Sequence, residues 1–185
     1  MTESKKTNWT IDRNHSEVQF KVKHLAISNV SGTFKLFTGE VQVENENFNN
    51  ALIHFEIDTN SIDTNNSERD NHLKSPVFFD TENFPKIMFD GNLKESDGDF
   101  SLEGQLTILK TTKKVKLEAQ LSGIGAGRFG DRRAGFEING KINRRDFGLN
   151  FGLLTETGNL VVGDDVKLHF DIQLVGEAVP SLQAI

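Results

Sequence analysis

Cysteine is absent from this sequence of 185 residues, which excludes disulfides, thiolate metal ligands and cysteine nucleophiles. Long apolar runs are absent too. No segment approaches the roughly 20 apolar residues that a helix needs to cross a bilayer, so the sequence predicts no membrane span. The first residues, MTESKKTNW, lack the apolar core of a secretory signal. This N-terminus predicts a cytoplasmic protein, or a periplasmic one if a signal has been removed.

Tyrosine is also absent and tryptophan occurs once, whereas phenylalanine occurs 15 times. A buried tyrosine or tryptophan brings a polar group that needs a hydrogen bond, while phenylalanine lines a space with hydrocarbon alone. The composition therefore favours an interior suited to an apolar guest. A solid core filled by phenylalanine is the alternative that composition leaves open.

Acidic residues outnumber basic ones, 27 against 21, which gives a formal net charge of -6. Nucleic-acid affinity is carried mainly by clustered lysine and arginine, so the charge balance argues against a nucleic-acid partner. The most basic run, KTTKKVK at 110–116, falls where a turn should join two strands. It is interpreted as the solvated end of a hairpin.

Apolar and polar residues alternate along most of the chain, the period of two that is typical of half-buried strands. In residues 17–25, Val18, Phe20, Val22 and His24 share one face. The other alternating segments are 9–12, 28–43, 51–59, 86–93, 99–109, 113–122, 134–143 and 166–175. Seven or eight such strands with short turns indicate an antiparallel sheet that hides its edges by closing into a barrel. A two-sheet sandwich is the alternative that the pattern leaves open.

Glycines mark the predicted bends and turns. Gly32 and Gly39 are placed to bend or bulge the long segment 28–43, as a curved sheet requires. The sequence SDGD at 96–99 predicts a hairpin turn, because Asp-Gly supplies the positive φ that tight turns need. Residues 123–133, GIGAGRFGDRR, are interpreted as a flexible connection. They match no phosphate-binding loop, since the Lys-Ser/Thr pair is missing.

One stretch, residues 61–89, breaks the alternation. Its centre at 66–75 is rich in polar residues compatible with a helix, and Phe78, Phe79 and Phe84 follow. We interpret it as a helical insertion that these aromatic residues fasten to one end of the sheet.

Short motifs recur in order along the chain. The first part carries Trp9-Thr10-Ile11-Asp12, His15-Ser16, Phe20, His24, Val30 and Gly32-Thr33-Phe34. The insertion carries Ser61-Ile62-Asp63-Thr64, Arg69-Asp70, His72-Leu73, Phe78-Phe79-Asp80, Phe84-Pro85 and Phe89. The last part carries Gly104-Gln105-Leu106-Thr107-Ile108, Gly135-Phe136 and Arg144-Arg145-Asp146-Phe147-Gly148. With these residues the chain resembles the YceI-like family of bacterial lipocalin-like proteins, also called the polyisoprenoid-binding family. Leu109-Lys110 stands where Lys-Gly is expected, a departure that touches only a turn.

The resemblance implies an all-β fold: an eight-stranded antiparallel lipocalin-like barrel with a short helical insertion near residues 66–75. A single domain would span residues 9–175, with flexible termini at 1–8 and 176–185. The resemblance further implies that the pore takes a long isoprenoid, a quinone-like molecule or a fatty amide. An eight-stranded barrel is just wide enough to be filled by side chains or to hold one slender ligand.

The predicted ligand-binding residues lie on the apolar strand faces, with His24 added as a polar group for the mouth. They are Phe20, Val22, His24, Phe34, Ile53, Phe55, Phe89, Leu106, Leu117, Phe136, Ile138 and Phe170. Ordinary core packing is the alternative role for each apolar member.

A polar head group would need partners at the mouth of the pore. His24 is one candidate, and Arg69, Asp70 and His72 in the insertion are the others. For His24 the alternative is a core histidine bonded to backbone or carboxylate. Arg69 and Asp70 are neighbours that point in different directions on a helix. They are therefore predicted to tie the insertion to different strands, with Arg144 and Asp146 as candidate partners.

No enzyme motif is found. Ser16, Ser28 and Ser31 lack a Gly-x-Ser-x-Gly setting. The five histidines have no metal-ligand spacing along the sequence, which leaves open ligands that converge only in the folded chain. The sequence predicts a ligand carrier that is no enzyme and needs no cofactor or metal. Two alternatives remain: a cofactor-free isomerase or hydrolase that uses His24 or Asp70, and a structural or stress protein with a filled barrel. Whether two barrels pair as a homodimer is left open.

Overall fold

Strands dominate the structure, a computed structural model that describes residues 6–44, 47–152 and 161–176. Within these ranges it has eleven strands and one α-helix, α1 (Ser67–Lys74). The strands are β1 (Lys6–Ile11), β2 (Glu17–His24), β3 (Ser28–Phe34), β4 (Phe37–Glu44), β5 (Asn47–Asp58), β6 (Ile62–Asp63), β7 (Lys86–Ser96), β8 (Asp99–Ile108), β9 (Thr111–Ala126), β10 (Arg132–Asn143) and β11 (Val162–Gly176). The helix confirms the predicted insertion near residues 66–75.

The strands form a closed ring in which all neighbours are antiparallel. The ring runs β1-β4-β5-β7-β8-β9-β10-β11 and returns to β1. After short interruptions β1 continues as β2, β3 as β4 and β5 as β6, and these pieces pair in the same order. Within the described ranges the sheet is thus eight long strands in chain order, which confirms the barrel over the sandwich.

The two ends of the barrel differ in their connections. The turn between β2 and β3, the insertion with α1 and the segment after β10 lie at one end, which we call the upper end. The β7–β8 turn and the loop at 127–131 lie at the other, the lower end. In the β7–β8 turn Asp97 and Gly98 have φ of 55° and 89°, as the Asp-Gly signal predicts.

The interruption between β1 and β2 is a kink at residues 12–16 that hydrogen bonds hold in place. Across it, the backbone N–H of Asp12 donates to the carbonyl of Gln173 (2.8 Å), and the N–H of Gln173 donates to Ser16 Oγ (2.9 Å). The Asp12 carboxylate also accepts from His15 Nδ1 (2.8 Å) and Arg133 Nη1 (2.6 Å). These bonds, that of His15 first, lower the pKa of Asp12 below its ordinary value. The N-terminal motif therefore preserves the pairing with β11 while the strand bends.

The corner predicted in segment 28–43 exists, but it does not lie at Gly32 or Gly39. The chain breaks at residues 35–36, between β3 and β4. A Cβ at Gly32 would lie 2.3 Å from the Phe20 ring, and one at Gly39 would lie 2.5 Å from Ile11. These glycines make room for side chains of the neighbouring strand rather than bending their own.

The flexible connection predicted at 123–133 is too long at both ends. Strand β9 runs on to Ala126 and β10 begins at Arg132, which leaves only residues 127–131 as a loop. Gly123 and Gly125 lie inside the ladder, paired with Gly135 and Arg133. Cross-strand pairing here overrides the low strand propensity of glycine.

The barrel uses residues from both ranges that were predicted as flexible termini. Lys6 to Asn8 pair with β4, and Gly176 pairs with both Trp9 and Arg132. Residues 1–5 and 177–185 lie outside the described part of the chain. No helix in the described part is long and apolar enough to cross a membrane.

An ion cluster on the outer surface ties three consecutive strands. Glu103 on β8 lies 3.2 Å from Lys94 Nζ on β7 and 3.1 Å from Lys116 Nζ on β9. The bonds to Lys116 and Lys94 lower the pKa of Glu103 from its ordinary 4.5 to about 2. A carboxyl with a depressed folded pKa stabilises the fold above its unfolded pKa, and this contribution disappears as pH falls through the folded pKa.

We therefore expect the difference in unfolding free energy between wild type and Glu103→Gln to be small but positive at pH 7. It should shrink as pH falls from about 4.5 to about 2. Urea unfolding across this range measures it. A variant with methionine at both Lys94 and Lys116 should lose the same pH-dependent contribution, and a difference that does not change with pH would contradict the assignment.

Candidate functional site

The inward faces of the strands enclose a cavity of about 400 Å³ whose wall is mainly hydrocarbon. All twelve residues predicted from the sequence border it. They are Phe20, Val22, His24, Phe34, Ile53, Phe55, Phe89, Leu106, Leu117, Phe136, Ile138 and Phe170. Their position is thus established, and their contact with a ligand stays a prediction.

The barrel is hollow rather than filled. Several apolar side chains face inward from the wall yet are only partly buried, because they border the cavity. They include Phe20, Ile53, Phe55, Leu106, Ile138, Leu168 and Phe170. Near the lower end, by contrast, Trp9 and Phe48 are only 1% and 3% exposed. This cavity argues against the filled-barrel alternative.

Aromatic rings occupy three levels of the interior. At the lower end Phe48 contacts Trp9 (ring centroids 5.2 Å apart) and Phe136 (5.0 Å). Halfway up, Phe55 lies 6.3 Å from Phe170. Near the upper end Phe34 contacts Phe20 (5.6 Å) and Phe79 (6.0 Å). The phenylalanine-rich composition is therefore used to line the interior along its length.

The insertion covers the upper end with aromatic side chains. His72 on α1 and Phe78 after it both pack against Phe151, at centroid distances of 4.9 and 4.8 Å. Phe79 reaches the barrel wall at Phe34. These side chains border the cavity, so the insertion forms a cap over this end of it.

Arg69 and Asp70 do not reach different strands as predicted, because both bind Thr64. Arg69 Nε and Nη2 donate to the Thr64 hydroxyl and carbonyl, each at 2.8 Å. The Thr64 backbone N–H and hydroxyl donate to Asp70 Oδ1 at 2.9 and 2.6 Å. Thr64 lies just before the helix, where both side chains of its first turn can reach back to it. Arg69 borders the cavity, whereas Asp70 is not among the described lining residues.

Arg144 joins the upper ends of β10 and β11 from inside the protein. It is only 3% exposed, and burial lowers the pKa of its guanidinium. Its three nitrogens donate to the carbonyls of Gly163 (2.8 Å), Leu149 (2.5 Å) and Val162 (3.2 Å). Nη2 also lies 3.2 Å from Asp164 Oδ1. Arg144 is therefore a structural clamp that also borders the cavity, and not the partner predicted for Arg69 or Asp70.

Charge in the cavity wall is of one sign. Lys23, Arg69 and Arg144 border the cavity at its upper end, and no aspartate or glutamate is among its described lining residues. His24 borders it too, and its ring makes no hydrogen bond within the described ranges. The site therefore combines a long hydrocarbon wall with positively charged side chains at one end, an arrangement that suits an apolar molecule with an acceptor head group.

Of the two residues named for the enzyme alternative, His24 borders the cavity and Asp70 does not. Neither Asp70 nor Ser16, Ser28 or Ser31 borders the cavity within the described residues. Across the same residues, no three histidine, aspartate or glutamate side chains are placed to hold a metal ion.

Phe48 borders the cavity, but it is not among the ligand-binding residues predicted from the sequence. It lies out of phase with the alternation of inward and outward residues in the rest of β5. The inward positions of β5 are Phe48 and Ala51, and then Ile53, so the period of two fails once. Asn50 between them has φ of 62°, a left-handed conformation that asparagine tolerates. The Asn-Asn pair before an alternating run was the available signal for an irregular position in the strand.

Comparisons with known proteins agree with this geometry. The family model for the YceI-like domain matches residues 9–174. The UPF0312 protein SAS2572 of Staphylococcus aureus is 36% identical over 164 residues, which make up 88% of this chain and 94% of that protein.

Solved structures show the same fold. The Campylobacter jejuni YceI protein matches with a TM-score of 0.70 and 31% identity, over 90% of this chain and 96% of its own. A polyisoprenoid-binding domain from Saccharophagus degradans matches with a TM-score of 0.66 and 16% identity, over 91% and 98% of the two chains. At that identity the last likeness concerns the fold alone.

Proposed function

The chain belongs to the YceI-like family, and from this premise we propose that it binds a long apolar molecule inside the barrel and carries or stores it unchanged. The observation that carries the proposal is the cavity itself, which is continuous, hydrocarbon-walled and enclosed by a closed sheet. The interior of an eight-stranded barrel is narrow. A slender chain therefore fits it better than a globular ligand.

The binding energy would come from burial of the chain. Each buried CH₂ group contributes about 0.8 kcal/mol, so about ten groups correspond to a Kd of about 1 μM before ordering costs. No dense polar recognition is needed along the wall. This supports a ligand of the polyisoprenoid, quinone-like or fatty amide class, and the Saccharophagus degradans domain is named for binding the first of these.

The head group is proposed to lie at the upper end. Lys23, Arg69 and Arg144 place positive charge there, although the Arg144 nitrogens already donate to backbone carbonyls, and the described lining residues offer no carboxylate. A quinone or amide carbonyl, a hydroxyl or an acidic group would be accepted, whereas an ammonium group would meet like charge. The proposal thus favours chains that end in a hydrogen-bond acceptor.

Native mass spectrometry of gently purified protein tests this function. We expect a bound species that organic extraction removes, and we expect the emptied protein to bind an added prenol, quinone or fatty amide. A long-chain carboxylate should bind more tightly than the amine of equal length. The ligand should be recovered unchanged after long incubation, because recovery of a product would favour an enzyme. An empty protein that ignores all these additions would overturn the proposal.

A further inference from the structure

A second pocket, of about 450 Å³, lies at the lower end of the barrel. Polar and apolar side chains line it in similar measure, unlike the cavity above. Its lining residues are Asn47, Phe48, Glu95, Gly98, Asp99, Phe100, Gln120, Leu121 and Ile124. Among the described residues, Phe48 is the one that borders both this lower pocket and the cavity.

Phe48 therefore lies between the two spaces. On the cavity side its ring contacts Phe136 edge to face at 5.0 Å. Phe136 in turn contacts Phe100, which borders the lower pocket, at 6.0 Å. On its other side the Phe48 ring packs on Trp9. Two aromatic neighbours, Trp9 and Phe136, thus hold the Phe48 ring in place.

The backbone under Phe48 is fixed as well. The side-chain oxygen of Asn49 accepts a hydrogen bond from the backbone N–H of Glu95 at 3.0 Å, which ties the start of β5 to β7. The left-handed Asn50 follows and turns Phe48 inward in place of the residue that strict alternation would select. The local sequence therefore places a large rigid side chain across the lower end of the bore.

We propose that Phe48 is a length stop: the chain of the bound ligand ends against its ring, and the lower pocket is a second chamber closed to the wild-type ligand. The inference rests on the proposed function. Lys23, Arg69 and Arg144 are at the upper end, and the wall near Phe48 is apolar. The head group therefore stays at the upper end and the tail points toward the lower end. The specificity that follows is for straight or prenyl chains up to a limiting length.

Titration with a homologous series of straight-chain primary alcohols tests the stop. For wild type we expect Kd to tighten about fourfold with each added CH₂ up to a limiting length, and to improve no further beyond it. In Phe48→Ala the limit should move to longer chains. An alcohol two carbons beyond the wild-type limit should then bind about 15-fold more tightly to the variant.

Phe100→Ala is the matched control. It also removes a phenyl ring that borders the lower pocket, but it leaves Phe48 in place between the pocket and the cavity. Its limit should equal that of wild type. Phe48→Leu keeps more of the core and should move the limit by a smaller step, which keeps the test valid if the alanine variant does not fold. An unchanged limit in a folded Phe48 variant overturns the length stop, whereas a wild-type protein that binds no alcohol at all overturns the proposed function instead.

Discussion

Val22→Phe should weaken ligand binding by about 100-fold or more while the barrel stays folded. Val22 borders the cavity between Val30 on β3 and Val166 on β11, two small side chains that also border it. A phenyl ring at position 22 can therefore extend into the cavity, with two valines as its cross-strand neighbours. It displaces about four carbon groups of the ligand, each worth about fourfold in Kd.

Leu52→Phe is the control for this substitution. Leu52 lies on the outer face of β5, 55% exposed, so a ring there should leave the Kd within about twofold of wild type. Fluorescence or calorimetric titration with the same prenol compares the variants, and thermal melting verifies that both are folded. If Val22→Phe binds like wild type, the ligand does not occupy this part of the bore.

Arg144→Met should lower the free energy of unfolding by about 3 to 5 kcal/mol. The substitution keeps the apolar stem of the side chain and removes every donor. The carbonyls of Leu149, Val162 and Gly163 then lose their partner, and an unsatisfied buried group costs about 1–3 kcal/mol. Urea unfolding followed by tryptophan fluorescence of Trp9 measures the loss.

The neighbouring arginine provides the comparison. Arg145 Nε lies 2.6 Å from the same Asp164 carboxylate, but its side chain is 39% exposed. Arg145→Met should therefore cost no more than about 1 kcal/mol. Arg144→Lys should recover only part of the loss, because an ammonium group does not reproduce the planar fork of donors. Equal costs at positions 144 and 145 would show that Arg144 is not the clamp described.

The wall of the cavity could be predicted from the sequence because strand alternation is a local property. Each inward residue of β2, such as Phe20 or Val22, is fixed by its neighbours two positions away. At Phe48 strict alternation selects the wrong residue, because the left-handed Asn50 shifts the period by one position. A pattern rule carries no signal for such a shift unless the irregular residue is itself recognised.

The polar contacts of the upper end could not be predicted. Arg69 and Asp70 converge on Thr64 because the helix begins immediately after it, and sequence distance alone does not give that direction. The role of Arg144 depends on carbonyls of residues 18 and 19 positions further along the chain. Whether a glycine makes room or makes a turn is likewise decided across strands, as Gly32 beneath the Phe20 ring shows.

The seam between the first and last strands has a consequence for biosynthesis. The edge of β1 and β2 finds its partner only in β11, which ends at Gly176. While the nascent chain emerges from the ribosome, this first edge stays unpaired, and the ring cannot close until β11 has emerged. Long-range closure of this kind slows folding and leaves strand edges open to aggregation. The cavity can accordingly enclose a molecule only once β11 is in place.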